Sequence, residues 1–316
     1  LLVGGEFTNV NNNGTVLPNA DYVAAYDICS SVITVQNTND SGAGSLRQAI
    51  ADICSGGTIN FDSSLAGQTI TLTSSIISNK SLTINGSGLN PQVTISGGET
   101  TGIFDLRGNG MVIIQNLTFA NSAPSAQAIR NSVMNGRLIV ENSNFINNAG
   151  GAIYFFSTEL IQVSNSTFAG NNIAIALGGY GGANWSIDNS TFAFNNTAIN
   201  LSGATHLYIS ASTFSENNPA IATSEGSFLE LTDSIIFSGT LASYNNCIIS
   251  PLSVVQFVNT FQHGGINSNS CAGATIADPK LGALGNYGGQ TQTIPLLPGS
   301  PAIDTATYCS ATDQRG

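Results

Sequence analysis

The sequence predicts an all-β protein, a parallel β-helix of about 22–26 residues per coil with a short capping helix at its N-terminal end. Three observations predict it: a repeated anchor, two alternating apolar columns, and asparagines at fixed corners. The stretch from Leu138 to Thr223 repeats one phrase four times: LIVENSNFINNAGGAIYF, IQVSNSTFAGNNIAIAL, WSIDNSTFAFNNTAINL and LYISASTFSENNPAIAT. The anchors are Phe145, Phe168, Phe192 and Phe214, with Phe119 upstream and Ile236 downstream, spaced 26, 23, 24, 22 and 22 residues apart. A repeat of that size is one supersecondary unit that buries its apolar face only by stacking on its neighbours.

Seven residues before the anchors stand Val112, Leu138, Ile161, Trp185, Leu207 and Leu229, and five before stand Ile114, Val140, Val163, Ile187, Ile209 and Leu231. Mostly polar residues separate the two columns, the period-2 alternation of a strand with one buried face. A second apolar pair follows each anchor: Ala152-Ile153, Ala174-Ile175, Ala198-Ile199 and Ala220-Ile221. Asparagine fills the corners, at Asn116, Asn142, Asn165 and Asn189 before the anchor and at Asn147, Asn171, Asn195 and Asn217 after it. Asn tolerates left-handed backbone and bonds its own chain, and equivalent Asn side chains in adjacent coils can ladder amide to amide. Leucine-rich repeats share the period, but their run of Leu before Asn is missing.

With 316 residues, 41% hydrophobic and only 8% charged, the composition suits a solenoid lined along its whole interior. A net charge of −11 leaves no basic face for nucleic acid. No apolar run approaches the ~18–20 residues of a membrane span. Five Cys in a Gly/Asn/Ser/Thr-rich, Lys-poor chain point to an oxidising, extracellular setting. The chain starts at Leu1 without a signal peptide, so a processed or trimmed product is expected.

Four segments are expected. Residues 1–28 lie outside the coil pattern and read as two strands, Leu1–Phe7 and Tyr22–Ile28, around an Asn/Gly-rich loop. Their wording, GGEFTNVNNNG…DYVAAYD, looks like a single repeat of bacterial surface β-propellers, and one repeat cannot close a propeller. Residues 29–57 form a cap: Ser45 and Gln48 make a capping box, Leu46, Ala49, Ile50 and Ile53 fall at helical spacing, and Gly56 suits the helix stop. Such a helix covers a solenoid end that would otherwise show unpaired strand edges. Residues 58–250 are the coils, with an insertion at Ala120–Arg137. Residues 251–316 are Pro/Gly-rich and irregular, expected to cover the C-terminal end.

Cys29 lies just before the first strand and Cys54 at the end of the expected helix, so a bond between them would staple the cap. Cys247–Cys271 would tie the last coil to the cover. Each such loop, about 24 residues, is worth on the order of 3 kcal/mol in the chain-entropy account.

The segment ITVQNTNDSGAGSLRQAIADICSGGTINFDSSLAGQTITLTSSIISNKSLTINGSG (Ile33–Gly88) resembles the opening of bacterial surface β-helix proteins of the choice-of-anchor Q type and their polymorphic outer-membrane relatives. GNYGGQTQTIPLLPGSPAIDTATYCSATDQRG (Gly285–Gly316) resembles that family's closing motif. The resemblance implies a right-handed helix and a secreted, surface-associated bacterial protein, and brings no catalytic residues. It also implies a further Cys and strand after Gly316, which would leave Cys309 without its partner.

Each candidate site carries a plainer reading beside it. Glu141 and Asp188 share the outward column four before the anchor, two coils or roughly 10 Å apart. That lies near the wide end of the inverting-glycosidase range. Ser164 separates them and no basic group accompanies Asp188, so a solvated face is the better reading. Arg107, Arg130, Arg137, Glu141 and Glu159 are expected to gather near the insertion as loop-pinning ion pairs, with a carbohydrate-binding patch as the alternative. His206 and His263 stand apart from any Cys or His at ligand spacing, so neither metal nor cofactor is expected. Trp185 falls in a buried column, and Gly178–Gly182 lacks the ending of a phosphate loop. The column Thr118, Asn144, Thr167, Thr191, Thr213 is too narrow and broken for an ice-binding face. Sequons at Asn165, Asn189 and Asn195 follow from the ladder itself.

The function expected is therefore a non-enzymatic extracellular bacterial scaffold or adhesin. The alternatives are a carbohydrate-active β-helix enzyme, lyase or glycosidase, and a passive glycan-binding module. The expected partners are copies of itself, head to tail, or surface and matrix components. Leu1, Leu2, Val3, Phe7, Tyr22, Val23 and Tyr26 would supply the strand that joins a neighbour.

Overall fold

The computed structural model describes residues 29–179, 184–224, 226–239, 245–264, 271–307 and 312–315, with the Asn184 side chain excepted. Of the first 28 residues it describes the backbone of four strands. The coils build three parallel sheets, with 10, 10 and 8 strands among the described residues. In the coil around Phe145, Arg137–Glu141 belongs to the first sheet, Asn144–Ile146 to the second and Ile153–Phe156 to the third. The first sheet runs from Ser30–Val35 to Val254–Val258, and the second ends at Thr275–Ile276. The sheets thus reach beyond residue 250 on the C-terminal side.

The register is the one the columns predict. Phe119, Phe145, Phe168, Phe192 and Phe214 pair in sequence through the second sheet. All are fully buried, and their rings stack with centroids 5.0, 4.7, 4.9 and 4.7 Å apart. That separation is the strand spacing itself, so the five coils that carry Phe share one stacked geometry. Ile187 and Ile209 are 1% exposed, and Trp185 is fully buried with its indole N–H donating to Glu159 O at 2.6 Å.

The corner asparagines divide into two sets. Asn116, Asn142, Asn165 and Asn189 all take left-handed backbone, φ 48–57°, and Asn189 Nδ2 donates to Asn165 Oδ1 at 2.6 Å. After the anchor, Asn147 is also left-handed, whereas the buried ladder runs through Asn148, Asn171, Asn195 and Asn217. The amides of Asn148, Asn171 and Asn195 each donate to the next coil's Oδ1 at 2.8–2.9 Å. The expected column thus mixed two positions: Asn147 turns the chain, and Asn148 starts the ladder. A serine ladder unmarked in the sequence reading lies beside it. Ser143, Ser166, Ser190, Ser212 and Ser234 each donate to the carbonyl two residues back and accept an N–H from the preceding coil.

Helix α1 (Leu46–Asp52) covers the first coil with Leu46, Ala49 and Ile50 buried, and Ser45 caps it by accepting the Gln48 N–H. It is shorter than the pattern suggested. Ile53 leaves helical backbone at ψ 142° and opens the strand Ile53–Phe61, so Cys54 and Gly56 lie in that strand. The helix stop is supplied from outside, because Lys80 Nζ donates to the Ile50, Ala51 and Ile53 carbonyls, the groups a helix end leaves unsatisfied. Cys29–Cys54 and Cys247–Cys271 are both bonded.

Leu2–Gly5 pairs antiparallel with Tyr22–Ala25, and the intervening loop forms a second ribbon, Asn9–Asn12 with Thr15–Pro18. These ribbons share no strand with the three sheets. The side chains of Leu1, Leu2, Val3, Phe7, Tyr22, Val23 and Tyr26, and Cys309, lie outside the described residues.

The C-terminal segment is not the end cover that the sequence suggested. It folds back along the side of the solenoid over the threonine column. Thr167 Oγ1 donates to Gln292 O, Thr191 Oγ1 donates to Gln314 Oε1 at 2.8 Å, and Thr291 Oγ1 donates to Asn165 O. Farther along, Asn259 Nδ2 donates to Thr305 O and the Thr307 N–H to Asp233 Oδ1. Hydroxyls with spare donors bind an irregular backbone that carries spare acceptors, which accounts for threonine on this face.

Candidate functional site

Three outward surfaces could carry function. On the first sheet, Glu141, Ser164 and Asp188 are in register, as the column predicts. Glu141 accepts from Gln115 Nε2 at 2.7 Å and Asp188 from Ser210 Oγ at 2.7 Å. Both carboxylates are thus built into coil-to-coil bonds, with Ser164 between them. Among the described residues no group of His, Cys, Asp and Glu is placed to hold a metal. His206 instead packs on Phe228 and His263 on Phe237.

The charges expected to gather at the insertion separate. Arg137 pairs with Glu159 at 2.8 Å across the mouth of the first sheet. Arg107 turns back on Asp105 at 2.6 Å, and Glu141 joins the glutamine. Arg130 stands apart on the third sheet. The period-2 pattern placed these residues outward, but the sheet each occupies depends on the lengths of intervening corners. Ser125, Ala126 and Gln127 form one wall of an open cleft of about 430 Å³ over the third sheet, where Asp105, Arg130 and Tyr154 follow one another in register. The sequence signal for this cleft was only the length of the insertion.

A second cleft, about 520 Å³, lies between the second sheet and the folded-back C-terminal segment. Its solenoid wall carries Thr191, Thr213 and Ile235, and the opposite wall carries Ile294, Pro295 and Leu296. It exists because that segment bridges the threonines at two separate places.

At the C-terminal end the first sheet finishes with Val254–Val258, and among the described residues no strand pairs with its outer edge. Val254 and Val258 are 52% and 44% exposed. The Val254 N–H donates inward to Ser227 O and Val258 O accepts from the Asp233 N–H. Alternation along a parallel strand therefore turns the Val255 and Phe257 backbone groups to the free edge. At the N-terminal end α1 buries Leu46, Ala49 and Ile50 over the first coil, and the outer edge of Ser30–Val35 likewise has no strand partner among the described residues.

Fold and surfaces together define a parallel β-solenoid with polar, ladder-built faces. Residues 101–281, more than half of the chain, match the family described as the right-handed β-helix region, and the chain belongs to that family. Among solved structures it is similar to the PL6 family alginate lyase AlyGC, at 16% identity and a TM-score of 0.48. That likeness covers 78% of this chain and 39% of the lyase, so the chain spans about two fifths of that protein's length. No curated protein matches the chain.

Proposed function

We propose that the chain is a non-enzymatic scaffold or adhesin of the bacterial cell surface or extracellular matrix, and that it joins copies of itself end to end. The observation that carries this reading is the C-terminal edge of the first sheet. There Val254–Val258 presents a strand with exposed valines and no strand partner among the described residues. A free edge is a template for strand addition, and a head-to-tail contact that does not close on itself extends into a filament. The N-terminal ribbons, two strands each and below the size of an independently stable sheet, supply the strand to be added. Two disulfides fit an oxidising compartment, and among the described residues no helix is long and apolar enough to cross a membrane. The segments Ile33–Gly88 and Gly285–Gly316 support a surface protein of the choice-of-anchor Q type. A second reading, a glycan-binding module, is favoured by the Arg130 cleft.

The test measures particle length by negative-stain microscopy and mass by sedimentation for three proteins: the full chain, a deletion of residues 1–28, and Val254→Lys/Val258→Lys. The full chain is expected to form concentration-dependent filaments and both variants to remain monomeric. A full chain that stays monomeric at high concentration, or a deletion that assembles equally well, overturns the reading.

A further inference from the structure

We infer that the cleft over the third sheet binds an anionic sugar residue, a ring carrying a carboxylate or sulfate beside a free hydroxyl. The inference builds on the glycan-binding reading and is independent of end-to-end assembly.

The argument begins with unmet hydrogen-bonding capacity. Four of the chain's five arginines are ion-paired: Arg47 with Asp40, Arg107 with Asp105, Arg137 with Glu159 and Arg315 with Asp313. The Arg130 side chain has no ion pair and no hydrogen bond among the described residues, and it is exposed. Its register neighbour is Asp105, so a pair between them would be the obvious outcome. The pair does not form, because Arg107 takes Asp105 Oδ2 through both Nε and Nη2, at 2.8 and 2.6 Å. The other oxygen, Asp105 Oδ1, is buried and has no partner. A buried acceptor without a donor is costly, and a guanidinium with no anion keeps its full capacity for a planar oxyanion.

The two groups lie one coil apart, about 5 Å, and differ in access. Arg130 is exposed and calls for an anion, whereas Asp105 Oδ1 is shut off from solvent beneath it. The local charge agrees: Asp105 contributes −1 and Arg107 and Arg130 contribute +1 each, leaving +1 on a chain whose net charge is −11. On the far side of Arg130 the next residue in the column is Tyr154, 37% exposed, followed by Ala176. Tyr154 itself lines the cleft, and its half-exposed ring offers an apolar platform for the C–H face of a sugar. Gln127 completes the wall: its Nε2 is held by Gly150 O at 3.3 Å, and its Oε1 accepts from no donor among the described residues. An anion, adjacent hydroxyls and an apolar face occur together on an acidic sugar ring. The cleft, about 430 Å³, lies within the size range of small-ligand sites.

The test uses the full chain and ligand-observed saturation-transfer NMR with D-glucuronate, D-glucose 6-sulfate, D-glucose and acetate. At least one of the two anionic sugars is expected to bind in preference to glucose and to acetate. Arg130→Ala is expected to weaken that binding about 10- to 100-fold, the loss of a charge-assisted bond, and Tyr154→Ala to weaken it as well. Arg137→Ala, whose partner is Glu159 on the first sheet, should bind as the parent does. Circular dichroism melting should show Arg130→Ala folded, since the side chain is exposed and unpaired. Failure of both anionic sugars to bind, equal binding of glucose, or binding that survives Arg130→Ala overturns the inference. Because filament length is read separately, a failure here leaves the assembly proposal standing, and the converse holds.

Discussion

Asn171 offers the sharpest test of how the coils are held together. Its side chain is 1% exposed and makes four hydrogen bonds. Oδ1 accepts the Asn148 N–H at 3.0 Å and Asn148 Nδ2 at 2.9 Å, while Nδ2 donates to Phe145 O at 3.0 Å and Asn195 Oδ1 at 2.9 Å. In Asn171→Ala, Asn148 Nδ2 keeps Phe119 O and Asn195 Oδ1 keeps the Asn171 N–H. The Asn148 N–H is left buried without its acceptor, and an amide-sized void opens. One orphaned donor plus the lost bonds amounts to about 3 kcal/mol, or about 6 °C in melting temperature for a chain of this size.

Asn171→Asp keeps the shape and both acceptor bonds but sets a carboxylate oxygen against Phe145 O and Asn195 Oδ1. At pH 7 it should therefore melt below Asn171→Ala. Burial and two facing acceptors raise that carboxyl above its unfolded value of about 3.9. The sign follows: the folded form holds the proton more tightly, so stability is retained below the unfolded value and lost as pH rises through the folded one. Melting followed by circular dichroism at pH 4 and pH 7 reads both effects. If Asn171→Asp melts with the parent at pH 7, or gains nothing on acidification relative to the parent, the ladder does not hold the coils as described.

Three further outcomes are expected. Phe194 is 56% exposed at φ 57°, in the column where Asn147 and Gly170 also take left-handed backbone, so Phe194→Asn should stabilise by about 0.5–1 kcal/mol in guanidinium unfolding. Burial by itself raises the Asp40 carboxyl, but bonds from Thr73 and Arg47 and the Arg47 charge outweigh it and leave the carboxyl below its ordinary value. The stability Asp40 contributes is thus present above the ordinary carboxylate range and lost as pH falls through the lowered folded value. Asp40→Asn should flatten that acid limb, read as the pH dependence of the melting temperature. Polygalacturonate and alginate should give no unsaturated product by ultraviolet absorbance, and cleavage abolished by Glu141→Gln or Asp188→Asn would refute the non-enzymatic reading.

What the sequence made legible is what repeats. Inward residues recur at fixed offsets from the Phe anchors, so the burial of Val163, Ile187 and Ile209 could be read before any coordinates. Asn147 and Asn148 show where this fails: both are Asn, one residue apart, and only backbone conformation separates the corner from the ladder. The serine ladder was visible as a recurring Ser two before the anchor, but small polar residues usually mark solvent, and here the hydroxyl substitutes for a carbonyl between coils. Non-repeating parts were opaque. The path of residues 285–307 is set by single bonds to carbonyls, which leave no pattern in composition. The Arg130 cleft depends on which sheet each insertion residue joins, and that follows from corner lengths rather than from periodicity.

The folded-back C-terminal segment changes what kind of physical object the solenoid is. A stack of coils is a one-dimensional lattice in which each unit feels only the next, and such a lattice frays from its ends. Gln92 Nε2 donates to Gln290 O across 198 positions of sequence, while Asn259 Nδ2 reaches Thr305 O near the other end. One segment therefore touches coils that never touch each other. The last coils cannot peel away without also lifting the segment from Asn144, Thr167 and Thr191. A chain of local springs has acquired a bond that spans several of them. Its unfolding should be more nearly all-or-none than nearest-neighbour stacking alone would give.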